Sequence, residues 1–171
     1  MNDTDVYRDA GVLILGSRLR RLSERILADI NRIYREGEIP FEPAWFPLFF
    51  ILEREKSITV SLMAQRLRVT QPAVSQTAVN LESRGLVTLE PDPDDRRRRT
   101  IRLTAAGEAL LKEIRPVWDS LEERLQEILG EGAYSRNLMA GLTELETALD
   151  TGNLAGDVVA EIRNKTDFDM K

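Results

Sequence analysis

The chain of 171 residues contains no histidine and no cysteine. Without imidazole or thiol there is no Ser–His or Cys–His nucleophile, no ordinary zinc site, no disulfide and no thiol redox sensor. Gly-rich phosphate loops, metal-ligand clusters and paired carboxylates in a recognisable catalytic context are missing too. Neither an enzymatic activity nor a cofactor is therefore expected. Aromatic residues are sparse, at 6%. The apolar stretch Gly11 to Leu15 is too short, and too soon followed by arginine, to be a signal core or a membrane span. A cytoplasmic chain with no membrane partner is expected.

What is present is an ordinary globular composition, 42% hydrophobic and 31% charged, with a net charge of −5. As a bulk figure, that charge argues against a nucleic-acid partner. Its distribution reverses the argument. Lys56 to Thr104 holds nine Lys or Arg against five Asp or Glu, a net +4, which leaves −9 for the remainder. No acidic residue occurs between Glu55 and Glu82. A basic segment on an acidic body is the electrostatic pattern of a DNA binder that approaches in one orientation.

Apolar spacing predicts the elements. Val12, Leu15, Leu19, Leu22, Ile26, Ile30 and Ile33 recur every three or four residues, one stripe of a long helix. Pro40 and Pro43 end it and open a second helix, whose Trp45–Leu52 segment is apolar on all sides and belongs in a core. Two short helices follow. Thr59 or Ser61 caps the first; Thr70 caps the second, with Pro72 in its first turn and Gly85 as its left-handed stop. Leu86–Leu89 and Thr100–Leu103 read as strands of a hairpin whose tip carries four successive arginines. A second long helix runs through Leu110, Ile114, Trp118 and Leu125, with Pro116 as a kink, until Gly130 and Gly132 break it. Tyr134–Leu149 forms another helix, and 151–171 continues with a weaker helical pattern.

This order predicts a mainly α chain with a small β-hairpin wing, a winged helix-turn-helix between long terminal helices. Three segments are expected: an N-terminal dimerisation helix over 1–42, the winged helix-turn-helix over 43–104, and C-terminal dimerisation helices and tail over 105–171. The stripes Leu15/Leu19/Leu22/Ile26 and Leu138/Leu142/Leu145, with Leu154 and Val158, exceed what one small wing domain covers, so a homodimer is expected.

The outer face of the second short helix offers Thr70, Gln71, Pro72, Ser75, Gln76 and Asn80. Gln and Asn pair bidentately with adenine, Ser bonds a base or a phosphate, and the capped first turn favours a phosphate. Four adjacent arginines repel one another unless an anion is near. Arg96, Arg98 and Arg99 are accordingly phosphate ligands in this reading.

At this point the residues resemble the MarR family of bacterial transcription regulators. Met63–Leu67 is similar to that family's first helix-turn-helix element, Thr70–Ser75 to the start of its recognition helix, and Leu81–Val87 to its exit into the wing. Asp95-x-Arg97-x5-Leu103-Thr104 is similar to its wing signature. The resemblance implies a transcriptional regulator, a repressor, binding a pseudo-palindromic double-stranded operator as a homodimer. It implies that Arg97 enters the minor groove, held by Asp95; Asp94 and Arg96 have the same spacing, so two registers fit. It also implies a small aromatic or amphipathic effector in a cleft, for which Trp45, Phe46, Phe49, Phe50 and Trp118 offer a wall. The alternative reading of the same segment is a winged-helix module that docks an acidic protein through its basic wing.

Overall fold

The computed structural model describes residues 10–92 and 95–169. Asp94, on which the second wing register depends, lies outside the described residues, as do the first nine and last two residues of the outer segments. The chain divides into two compact units, Met1–Val117 and Trp118–Lys171.

Within the first unit, a 3-10 turn at Gly11–Ile14 leads into helix α1, Leu15–Glu36. The predicted stripe starts three residues later than its first valine, because Val12 and Leu13 sit in the turn and stand almost fully exposed. Tyr34 is the single buried residue of α1, and Leu15, Leu19, Leu22 and Ile26 face solvent.

Pro43 opens a 3-10 turn to Trp45, and helix α2, Phe46–Glu55, follows. Trp45, Leu48, Phe49 and Leu52 are buried, and Phe41 packs edge-on against Tyr34, Trp45 and Phe49 at 5.1 to 5.6 Å. Phe46 departs from the expectation of an all-round buried segment. It is exposed and stacks on Phe50 at 5.4 Å, while the Arg54 guanidinium covers Phe50 at 4.2 Å. An alkyl-stemmed cation keeps the outer face of an apolar helix compatible with water.

Lys56, at φ 61°, ends α2 with its N–H on the Leu52 carbonyl. Strand β1, Ser57–Thr59, comes next, and the sequence reading missed it. Three residues are too few to show alternation, and the strand exists by pairing with a distant partner rather than by local propensity. Thr59 then caps helix α3, Val60–Leu67, accepting the Leu62 N–H at 3.3 Å. Arg68 makes the turn in the left-handed region, and helix α4 spans Gln71–Ser83.

Strands β2, Val87–Pro91, and β3, Arg99–Leu103, form the hairpin, and the sheet order is β1-β3-β2, all antiparallel. Ile58 opposes Ile101, which in turn opposes Leu89. These three side chains are buried together with Met63, Ala64, Val74, Ala78 and Leu81 of the two short helices. Helix α5, Ala105–Glu131, starts from the end of β3 and adds Leu110, Leu111 and Ile114 to the buried set. It runs through Pro116 and Gly130, so the predicted break comes one residue after the first glycine. Pro116 still removes one helical N–H donor there.

In the second unit, helix α6, Leu138–Thr151, buries none of its residues. Helix α7, Leu154–Asp169, replaces the weak pattern of the tail with a defined helix. Leu138, Met139, Leu149, Leu154, Val158, Val159 and Ile162 are all exposed. Among the described residues no helix is long and apolar enough to cross a membrane.

Candidate DNA interface

Helix α4 has a dry side and a wet side. Val74, Ala78 and Leu81, at helical spacing, anchor it on the core. Gln71, Pro72, Gln76 and Asn80 are exposed, and Ser75 is half-buried at the boundary. The Thr70 hydroxyl accepts the Ala73 N–H at 3.4 Å, so the predicted cap is present as a long hydrogen bond. Pro72 in the first turn has no N–H to leave unsatisfied.

Asn80 is less available than its exposure suggests. Its side-chain carbonyl accepts from Arg84 Nε at 3.2 Å, and Arg84 also meets Glu42 at 3.0 Å and lies over the Trp45 ring at 4.9 Å. The amide N–H groups of Asn80 remain for a base acceptor. Val79 sits between these polar residues, 51% exposed on the wet side, and was not singled out from the sequence. Its signal was there: a β-branched apolar residue outside the core stripe of a short helix.

The wing tip is built by Asp92. Its two carboxylate oxygens accept the Asp95 N–H at 3.2 Å and the Thr100 hydroxyl at 3.0 Å, and its own N–H donates to the Arg98 carbonyl at 2.9 Å. Thr100 is buried, so this partner satisfies a polar group that water cannot reach. The sequence reading overlooked Asp92 among three aspartates, since nothing local distinguishes the one that faces a buried hydroxyl.

Asp95 holds the tip in a different way from the expected guanidinium contact. One oxygen accepts the backbone N–H of Arg97 at 3.0 Å, and the other lies 3.4 Å from Arg98 Nε. Arg97 is thus fixed through its main chain while its side chain projects. Arg99 turns back and donates to the Leu89 carbonyl at 2.8 Å. Among the described residues, the guanidinium groups of Arg96 and Arg97 meet no partner, and both residues are exposed.

The base of the wing is locked to the end of α4. The Thr104 hydroxyl donates to the Gly85 carbonyl at 2.6 Å and accepts the Gly107 N–H at 3.1 Å, while its backbone N–H meets the Leu86 carbonyl at 3.0 Å. Gly85 has φ +71°, the left-handed stop expected from sequence. A Cβ on Gly107 would stand 2.0 Å from the Leu86 carbonyl oxygen, so only glycine permits this approach.

Residues 40–98 match the model of the MarR family. Over this segment, which is less than half of its length, the chain is similar to the MarR family. The match covers both short helices and the wing as far as Arg98. Transcriptional regulator HosA of Escherichia coli O111:H- is 43% identical over 54 residues, 32% of this chain and 40% of that protein. HTH-type transcriptional regulator FarR of Neisseria gonorrhoeae is 30% identical over 91 residues, 52% of this chain and 62% of that protein. The chain thus matches less than two thirds of the length of these relatives. Among solved structures, the transcriptional repressor CouR, bound to a 23-mer DNA duplex, is 28% identical with a TM-score of 0.65, over 81% of this chain and 96% of that one. These relatives are transcriptional regulators.

The aromatic residues suggested for an effector do not stand alike in the structure. Phe49 has no exposed surface and belongs to the core of the first unit, and Trp118, at the start of the second, is buried as well. Phe50 is half-buried under Arg54. Trp45 borders an open depression of about 440 Å³ together with Tyr34, Arg35, Phe41, Glu42 and Arg84.

Proposed function

We propose that the chain is a sequence-specific transcriptional repressor that binds a pseudo-palindromic double-stranded DNA operator as a homodimer and is released by a small aromatic or amphipathic effector. The observation that carries this reading is the pairing of a core-anchored helix with a polar outer face and a hydrogen-bonded wing whose Arg96 and Arg97 guanidinium groups meet no partner among the described residues. Similarity to CouR in complex with DNA supports the same use of this fold.

In this reading α4 enters the major groove. Gln71, Gln76 and Asn80 read base edges, Ser75 bonds a base or phosphate, and Thr70 and Pro72 present the first turn to a phosphate. The wing follows the neighbouring backbone, with Arg97 in the minor groove and Arg96, Arg98 and Arg99 on phosphates. Arg98 and Arg99 keep spare N–H groups after their contacts to Asp95 and Leu89. Segments 1–42 and 105–171 dimerise through the exposed apolar stripes of α1, α6 and α7, and 43–104 binds DNA. Two recognition helices related by a two-fold axis require half-site centres about 10 bp apart. Of the aromatic residues suggested for an effector, Trp45, which borders the open depression, is assigned to its wall, and the fully buried Phe49 is not; a cytoplasmic location follows from the regulatory role.

Mobility-shift assays on fragments from the chain's own promoter region test this reading. A salt-sensitive shift, lost in Arg97→Ala and weakened in Gln76→Ala, is expected. Selective capture of an acidic protein, with no shift of any fragment, would instead favour the protein-docking module.

A further inference from the structure

Val79 is a large apolar residue on the wet face of α4 that base-edge hydrogen bonding leaves unused. It follows Ser75 and Gln76 by one helical turn, on the side turned away from Val74, Ala78 and Leu81. An apolar β-branched side chain that stays 51% exposed lies outside the buried stripe and is a poor choice for a solvated helix position. Its neighbours on the exposed side, Gln76, Asn80 and Ser83, are all polar. In the major groove, one base presents an apolar group at its edge: thymine, through its C5-methyl.

We propose that Val79 is a specificity-determining residue that reads a thymine C5-methyl group in each half-site of the operator. This inference rests on the DNA-binding reading above and deepens it. Gln76 and Val79 are adjacent on the outer face, so an adenine read by the amide and a thymine read by the isopropyl group fall within neighbouring base pairs. The preference is for thymine over cytosine and over uracil, which pairs like thymine but lacks the methyl.

The test uses the full chain and the DNA fragment recovered by selection from genomic DNA. Each thymidine of a half-site is replaced in turn by deoxyuridine, and binding of wild type and Val79→Ala is measured. Alanine is a better helix former, and the position is exposed, so the variant folds, as circular dichroism will show. For wild type, one position per half-site is expected to lose affinity by about four-fold, the effect of burying one methyl group. Val79→Ala is expected to bind the unmodified fragment correspondingly less tightly and to be indifferent to deoxyuridine at that position alone. A wild type that tolerates deoxyuridine everywhere, or a variant that responds at every position as wild type does, overturns the assignment of Val79 while leaving DNA binding intact. Recovery of no fragment at all overturns the DNA-binding reading and this inference with it.

Discussion

The Thr104 hydroxyl donates to the Gly85 carbonyl at 2.6 Å, joining the end of the hairpin to the residue that terminates the helix before it. The same oxygen accepts the Gly107 N–H and so caps α5. One side chain therefore fixes the angle between α4, the wing and the next helix. Thr104→Val keeps the shape and removes both bonds, and is expected to cost about 1–2 kcal/mol of stability. Urea denaturation checks this, with Thr104→Ser close to wild type.

Two glycines beside this lock should respond differently to alanine. At Gly85 nothing lies within 4 Å of an added Cβ, and only the positive φ is penalised, by about 1–2 kcal/mol. At Gly107 the Cβ meets a backbone oxygen at 2.0 Å, which cannot rotate away. Gly107→Ala is expected to exceed the roughly 1–3 kcal/mol typical of overpacking, or to prevent folding. Comparison of the two melting transitions gives the order.

Asp92 and Arg97 separate wing architecture from wing contact. Asp92→Ala leaves the buried Thr100 hydroxyl without its partner, so a loss of about 1–3 kcal/mol is expected together with weaker DNA binding. Arg97→Ala removes no side-chain bond among the described residues and should melt like wild type. Its effect appears in DNA affinity, whereas Arg96→Ala, which removes a phosphate contact, lowers the slope of log affinity against log salt by about 1. A thermal melt and a salt titration on these variants distinguish the roles.

Much of this arrangement was legible in the sequence, and the reasons it was or was not are physical. The helix-turn-helix announced itself through caps and core spacing that are local: Thr70, Pro72, Val74, Ala78 and Gly85 act within their own helix. The wing arginines were visible as a charge pattern. What stayed hidden depends on residues far apart in the chain. Strand β1 exists because Ile58 finds Ile101, Asp92 matters because Thr100 is buried opposite it, and Gly107 is required by the Leu86 carbonyl. Asp95 was assigned the correct loop and a different partner, since the spacing to Arg97 does not reveal whether a backbone or a side-chain N–H reaches the carboxylate.

The exposed stripe of α1 gives a prediction about assembly. Leu22 is 47% exposed within the single chain, so Leu22→Asp should leave the fold of each protomer intact. Sedimentation velocity is expected to show a dimer for wild type and a shift towards monomer for the variant, with DNA affinity falling in parallel. An unchanged sedimentation coefficient would remove Leu22 from the interface.

Unbiased selection of genomic DNA fragments by the full chain at low salt tests the central claim most directly. Enrichment of fragments sharing a pseudo-palindrome, with half-site centres about 10 bp apart and affinity falling steeply as salt rises, is the predicted result. Recovery of no sequence above background, with Arg97→Ala indistinguishable from wild type, would contradict it.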